Sequence, residues 1–160
     1  MVHDLTKVVL ACGGNVEESR MTTLGSEFAM LLLVSGNWHT LGRLEQGLDK
    51  LCEKGDLTVA IRKTDAKPVE EDRMPYAVDV DALDQQGIVF NLANFFASRD
   101  IEIADVATRS YAAAHTGAPM FAVQMAVNVP SSIHVSQLRE EFLDLCDRLN
   151  LDAILEPVKA

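Results

Sequence analysis

The 160-residue sequence is poor in the residues that usually mark covalent or metal chemistry. It has three cysteines, Cys12, Cys52 and Cys146. An odd number of cysteines at wide spacing gives neither a disulfide framework nor a zinc signature, and the four histidines show no metal-ligand spacing. We therefore predict structural thiols, no metal, no cofactor and a reducing compartment.

Positive charge is also scarce, because 14 Lys and Arg stand against 24 Asp and Glu and give a formal net charge of -10. A protein that grips a phosphate backbone by itself needs clustered cations, and the basic residues here are scattered singly. Any role in gene control is predicted to run through a protein partner. The sequence also lacks a signal peptide and any apolar run near the ~20 residues of a membrane span, which predicts a cytoplasmic protein.

What the sequence does contain is one pattern that occurs twice. Leu5 and Val9 of the first copy recur as Leu92 and Phe96 of the second. An internal repeat indicates two small domains, and domains of this size gain stability by packing against each other. The interface between them is the first place to look for function.

The second copy has the clearer pattern of secondary structure. Alternating apolar residues predict strands at Tyr76–Ala82 and Phe121–Val129, and helical spacing predicts a helix after Pro130 with Ser131 or Ser132 as its cap. With a helix around Leu92 and two further strands, the order is β-α-β-β-α-β. This order predicts the α+β class and a ferredoxin-like domain over residues 75–160.

The first copy, residues 1–63, is predicted as α-β-β-α-β, and residues 64–74 form a charged linker. The unbroken apolar run Phe28–Val34 predicts a strand that is covered on both faces. The alternation in Leu57–Ile61 predicts the last strand of this domain.

Nothing in the first copy corresponds to the strand Tyr76–Ala82 or to the loop Asp84–Gly87 that follows it. In the ferredoxin-like order this strand is central, so its absence leaves Leu57–Ile61 without an inner neighbour. Unpaired backbone in a buried sheet costs about 1–3 kcal/mol per group. We expect either that the natural polypeptide begins upstream or that another segment fills the gap.

The segment Gly14-Asn15-Val16-Glu17-Glu18-Ser19-Arg20, followed by Leu24-Gly25-Ser26-Glu27-Phe28, resembles the first repeat of the glycine cleavage system transcriptional repressor family. That family consists of tandem ACT domains, and the resemblance covers nearly the whole chain. It implies a non-catalytic, homodimeric regulatory protein that senses a small amino acid, with glycine as the candidate, at an ACT–ACT interface. It also implies that the protein modulates a transcriptional activator of the LysR type by protein–protein contact.

Carried over residue by residue, the resemblance implies two groups of ligand contacts. The loop supplies Asp84, Gln85, Gln86, Gly87 and Ile88, and the start of a neighbouring strand supplies Asn15 and Val16. The family loop usually has Asp-Arg-Pro-Gly, so the two glutamines replace its Arg and Pro.

The chemistry of these residues is compatible with an amino-acid ligand. Gly87 precedes a helix whose free N–H groups suit a carboxylate, and its missing side chain allows close approach to the backbone. Asp84 could accept from the ligand's ammonium group or cap the helix. Asn15 could contact the ligand or occupy a left-handed turn.

Other functions share this element order. Acylphosphatase chemistry needs an arginine in the loop Asp84–Gly87, which has none. RNA-binding modules need exposed aromatic and basic residues on the central strands, whereas Phe121–Val129 is mostly aliphatic. The alternative that stays open is an amino-acid-binding regulatory subunit or fragment that controls a metabolic enzyme.

Overall fold

Residues 1–159 are described by a computed structural model, and they divide into two units at the boundary between Ala66 and Lys67. The boundary falls inside the charged segment that was predicted as a linker, and residues 53–72 contain no helix or strand. Each unit packs helices against an antiparallel sheet, so the predicted α+β class is confirmed. Among the described residues, none of the helices has the length and hydrophobicity of a membrane span.

The first unit contains two helices and two strands: α1 (Val2–Ala11), β1 (Asn15–Leu24), β2 (Glu27–Ser35) and α2 (Trp38–Cys52). β1 and β2 pair antiparallel around a turn in which Gly25 has a φ of 62°. The buried core consists of Leu5 and Val9 from α1 with Leu44 and Leu48 from α2. These residues meet because both helices carry apolar side chains at three- and four-residue spacing.

The second unit contains four strands and two helices: β3 (Arg73–Leu83), α3 (Ile88–Ala97), β4 (Glu102–Ala112), β5 (Pro119–Pro130), α4 (Val135–Arg148) and β6 (Asp152–Pro157). The strands form one antiparallel sheet in the order β4-β5-β3-β6. This is the predicted β-α-β-β-α-β arrangement, and the ferredoxin-like prediction is confirmed.

The central strand β3 shows why the second unit folds as predicted. Val78 and Val80 are each 1% exposed and face the core, whereas Asp79 and Asp81 beside them are exposed. Successive residues of a strand point to opposite faces, so this alternation gives one buried and one open face.

The predicted strand at Leu57–Ile61 is wrong, because residues 53–72 contain no strand. Its counterpart in the second unit, β6, lies at the sheet edge and pairs with β3 alone. Residues 1–66 contain no strand equivalent to β3, so the first sheet has two strands. Residues 57–61 therefore have the alternation of a strand but no neighbouring strand with which to form hydrogen bonds.

The apolar run Phe28–Val34 forms β2 as predicted, but within the first unit by itself only one of its faces is covered. Met30 and Leu32 pack against the core, whereas Leu31 is 73% exposed and Leu33 is 44% exposed. The two helices of the unit cover one side of the hairpin, which accounts for the alternation.

The predicted cap of the last helix is also wrong. α4 begins at Val135 with His134 as its N-cap and has no side-chain cap. The backbone N–H of Ser131 donates instead to the backbone oxygen of Asp72 at 2.7 Å. This bond joins the chain just after β5 to the residue before β3, so Ser131 and Ser132 lie in a turn that precedes the helix.

Candidate functional site

The loop Asp84–Gly87 joins the end of β3 to the start of α3, and all four of its residues are exposed. The backbone N–H of Asp84 donates to the backbone oxygen of Pro119, the first residue of β5, at 2.9 Å. The loop is therefore fixed to the sheet at its beginning and stays open to solvent along its length.

Gly87 ends the loop in a conformation that favours glycine. Its φ is 84° and its ψ is 4°, in the left-handed region, and its backbone oxygen accepts the N–H of Asn91 at 2.9 Å. A Cβ built on Gly87 would lie 3.6 Å from Nδ2 of Asn91, an ordinary contact, so the backbone conformation rather than crowding disfavours a side chain.

The N-terminus of α3 has no side-chain cap. The alternative in which Asp84 caps this helix is therefore wrong, because the N-cap residue is Gly87 and no side chain caps the helix. The first N–H groups of a helix have no partner within the helix, so they are available to an anion. Ile88, the first residue of α3, is 3% exposed and packs in the core. It can offer a ligand its backbone N–H but not its side chain.

The two glutamines of the loop differ in their surroundings. Nε2 of Gln85 donates to the backbone oxygen of Leu149 at 2.9 Å, at the C-terminal end of α4. Gln86 is exposed. Gln85 therefore joins the loop to the second helix of its unit.

Asn15 and Val16 begin β1 in the first unit. Nδ2 of Asn15 donates to Oε1 of Glu17 at 2.9 Å, and the hydroxyl of Ser35, opposite Asn15 on β2, donates to the same oxygen. Both hydrogen bonds lower the pKa of Glu17 below its ordinary value, and the bond from Ser35 has the larger effect. The left-handed turn that was considered for Asn15 is wrong, because Gly13 has the positive φ of 77° and Asn15 is already in the strand.

The strands β1 and β4 share an irregularity near their first residues. The pairing of β1 shifts between Val16 and Glu18, and that of β4 shifts between Ile103 and Asp105. Each shift inserts one extra residue at the equivalent position of the repeat. Bulges of this kind redirect side chains and are over-represented beside binding sites.

The predicted site residues thus fall into two groups, each described within its own unit. Asp84, Gln85, Gln86, Gly87 and Ile88 lie together in the second unit, and Asn15 and Val16 lie together in the first. Sequence reasoning missed Glu17, which accepts a hydrogen bond from the side chain of Asn15, and Ser35, which donates to Glu17. The strand register that brings Ser35 opposite Asn15 is the signal that could have found them.

A groove on the helical face of the second unit was also not predicted. It has a volume of about 590 Å³ and lies between α3 and α4. On its wall, Nε and Nη2 of Arg99 donate to Oε2 of Glu141 at 3.0 and 2.7 Å. Helix packing brings these two residues together, so no local spacing reveals the pair. Among residues 1–159, no group of three or more His, Cys, Asp and Glu side chains is arranged to hold a metal ion.

Comparison with known proteins relates this fold to named families. Residues 1–62 match the family model of the ACT domain. The glycine cleavage system transcriptional repressors of Escherichia coli (strain K12) and Shigella flexneri are each 27% identical over 158 residues, which cover 99% of this chain and 83% of theirs.

Two crystal structures match the chain over nearly its whole length. One, provisionally named a glycine cleavage system transcriptional repressor, has a TM-score of 0.72 at 26% identity and covers 100% of this chain and 90% of its own. The other, of an unknown protein from Galdieria sulphuraria, has a TM-score of 0.78 at 25% identity and covers 99% and 90%. Residues 1–62 therefore resemble an ACT domain, and the chain, with its two tandem ferredoxin-like units, is similar along its length to the glycine cleavage system transcriptional repressors.

Proposed function

We propose that this chain is a non-catalytic regulatory protein that binds a small amino acid, with glycine as the first candidate, at the loop Asp84–Gly87. One observation carries the proposal: an exposed glycine turn leads into the uncapped N-terminus of α3. Its relatives at 27% identity are named glycine cleavage system transcriptional repressors, which supports the choice of ligand class.

The two charged ends of an amino acid match the two ends of this loop. The carboxylate accepts from the backbone N–H groups at the start of α3, where the helix dipole also favours negative charge. The ammonium group donates to the Asp84 carboxylate, which is exposed and free of the helix cap. Gln85 contributes its remaining amide oxygen, since its Nε2 already bonds to Leu149.

Asn15 and Val16 complete the proposal as the strand-side contacts of an ACT–ACT interface. The Nδ2 group of Asn15 is engaged by Glu17, which leaves its Oδ1 to accept from a ligand. The bulge beside Val16 supports this assignment, because it alters the direction of the backbone where the strand begins.

We also propose that regulation runs through contact with a transcriptional activator of the LysR type, with the chain acting in the cytoplasm as a homodimer. The net charge of -10 supports a protein partner over a direct contact with DNA. The name of the relatives, transcriptional repressors, supports the regulatory role.

Calorimetric titration of the full chain with each of the twenty amino acids tests the ligand proposal. We expect one small amino acid to bind, and we expect Gly87→Ala to weaken that binding at least about tenfold, which corresponds to 1.4 kcal/mol. The added Cβ disfavours the left-handed conformation that directs the turn toward the ligand.

Gly117→Ala is the matched control. Gly117 lies in an exposed turn of the same unit with a φ of 67°, and a Cβ there meets nothing within 4 Å. Both variants impose similar backbone strain, but only one is in the proposed site. Equal affinity of the two variants, or no binding by any amino acid, contradicts the proposal. Binding of the amino acid with no effect on an activator would favour the control of a metabolic enzyme instead.

A further inference from the structure

We propose that the second unit has a further binding site, for a small ω-amino acid with an ammonium and a carboxylate group at opposite ends of a short carbon chain, and that Lys67 and Glu70 of the chain itself compete for it. The site is a cavity of about 350 Å³ lined by Glu70, Arg73, Ala97, Asp100, Ile101 and Glu102. It lies at the C-terminal end of α3, about 15 Å along this ten-residue helix from the loop Asp84–Gly87. The proposal therefore stands independently of the amino-acid site.

Glu102, the first residue of β4, forms the end of the cavity that suits an ammonium group. One of its carboxylate oxygens is in an ion pair with the ammonium group of Lys67, and the other accepts from Nδ2 of Asn128 at 3.0 Å. The hydrogen bond from Lys67 is the largest cause that lowers the pKa of Glu102, and the bond from Asn128 is the next largest. The carboxylate is therefore charged at neutral pH and binds one ammonium group of the chain itself.

Arg73, the first residue of β3, forms the end of the cavity that suits a carboxylate. Its side chain is 21% exposed, and its Nε is in an ion pair with Glu70. Its Nη1 donates to the backbone oxygen of Asp100 at 2.8 Å, which fixes the direction of the guanidinium. A planar guanidinium held in this way binds carboxylates with defined geometry.

Lys67 and Glu70 thus present to the cavity the same two charged groups as an ω-amino acid. Their side chains are 66% and 52% exposed, and exposed ion pairs of this kind contribute little to stability. The segment that carries them contains no helix or strand, and the bond from the N–H of Ser131 to the oxygen of Asp72 holds the chain to the unit beyond them. A ligand can therefore replace these two side chains without unfolding an element.

The positions of the two ends favour a ligand whose charges are separated. β5 lies between β3 and β4 in the sheet, so the first residues of these two strands are about 10 Å apart and their side chains must reach toward each other. A simple anion at Arg73 would be repelled by Glu102, and a simple cation at Glu102 would be repelled by Arg73. A cavity of this volume is near the lower end of the range for small-molecule sites, about 300–1,000 Å³, which limits the ligand to a short carbon chain.

Calorimetric titration of the full chain with β-alanine, 4-aminobutanoate and 6-aminohexanoate tests the proposal, because these probes separate the two charges by increasing distances. The double variant Lys67→Met, Glu70→Gln removes both competing charges and nearly keeps the lengths of the side chains. We expect at least one probe to bind this variant about fivefold or more tightly than it binds the wild type. Glu102→Gln, added to the double variant, should abolish the gain.

The matched control is Lys63→Met with Asp65→Asn, which removes the same pair of charges from the chain just before the cavity. Neither residue has an ion pair among the described residues. This control should bind the probes as the wild type does. Gly87→Ala, added to the double variant, should keep the gain in affinity, so that this proposal and the amino-acid site can fail separately.

Proteolysis of the wild type by a glutamyl endopeptidase gives a second readout that needs no variant. A saturating probe should speed cleavage after Glu70 at least about threefold, because it releases this side chain from Arg73 and the protease requires a free glutamate. Cleavage after Glu53, which is exposed and lies outside the cavity, should not change.

Three outcomes overturn the proposal. The first is that none of the three probes binds the double variant more tightly than the wild type. The second is a gain in affinity that persists after Glu102→Gln, which would mean that the ammonium group binds elsewhere. The third is binding to the wild type with no change in cleavage after Glu70, which would show that the probe does not displace the chain's own side chains.

Discussion

Arg99 joins three groups of the second unit through one side chain. Its guanidinium donates to Glu141 and to the backbone oxygen of Phe95. The central carbon of the guanidinium, Cζ, lies 3.9 Å from the centre of the Phe95 ring. The hydrogen bonds that Arg99 donates are the largest cause that lowers the pKa of Glu141 below its ordinary value of 4.5, and the hydrogen bond from Gln137 is the next largest. The pair therefore links the end of α3 to α4 in a pH-dependent way.

We expect Glu141→Gln to destabilise the chain at neutral pH and to lose this effect in acid. A carboxylate whose folded pKa is lowered contributes stability above the unfolded value of 4.5, and the contribution is lost as the pH falls through the folded pKa. Urea unfolding of wild type and variant between pH 7 and strongly acidic conditions measures the difference.

Glu140→Gln is the matched control, because Glu140 is the exposed neighbour of Glu141 on the same helix and has no ion pair among the described residues. It should change stability little at any of these pH values. A Glu141→Gln effect that persists unchanged into acid would show that packing, rather than charge, accounts for it.

At the scale of elements, the two units differ chiefly in the presence of a central strand. The second unit has β3 between two neighbours, and its core includes the fully buried Phe96 and Phe142. The first unit has one hairpin, and its buried cluster consists of Leu5, Val9, Leu44 and Leu48. Because burial of apolar area is the main source of stability, we expect the smaller core of the first unit to make that unit less stable than the second.

We therefore expect the amides of β1 and β2 to exchange at least about tenfold faster than those of β3 and β5, after correction for intrinsic rates. Hydrogen exchange resolved by segment measures this in the full chain. The matched comparison is between β2 and β5, which occupy equivalent positions in the repeat. Equal protection of the two strands would mean that another contact stabilises the first unit and that this argument from core size is wrong.

The local elements of both units follow from patterns of apolar residues, which is why the sequence predicts most of them. The strand β2 follows from an unbroken apolar run, the strand β3 from the alternation of apolar residues and the helix α4 from their helical spacing. The strand predicted at Leu57–Ile61 does not form, because pairing depends on a neighbour that alternation cannot supply.

The candidate site could be predicted only in its loop. Gly87 stands out because a glycine before a helical pattern indicates a turn, and its φ of 84° agrees. The bond from Gln85 to Leu149 and the bonds of Asn15 and Ser35 to Glu17 depend on tertiary packing or strand register. Such contacts cannot be inferred from the spacing of residues in the chain.

At the scale of the whole molecule, charge limits the way in which the chain could influence transcription. The formal net charge is -10, and the basic stretch Arg62–Lys67 contains Asp65 and is followed, after two uncharged residues, by the acidic residues Glu70, Glu71 and Asp72. Non-specific DNA binding depends on several clustered cations that release counterions from the phosphate backbone. The alternation of charge along this segment provides no such cluster.

We expect the full chain to show no measurable affinity for duplex DNA, even at low salt where electrostatic attraction is strongest. Fluorescence anisotropy with a labelled duplex, at salt concentrations of about 50 and 200 mM, measures this, with a DNA-binding activator as the positive control. Addition of the chain should change the anisotropy of a duplex that carries the activator and leave the anisotropy of the free duplex unchanged, since the proposed contact is with protein. If the chain alone bound DNA, and its affinity fell steeply between the two salt concentrations, a direct contact with the phosphate backbone would replace the protein-mediated mechanism.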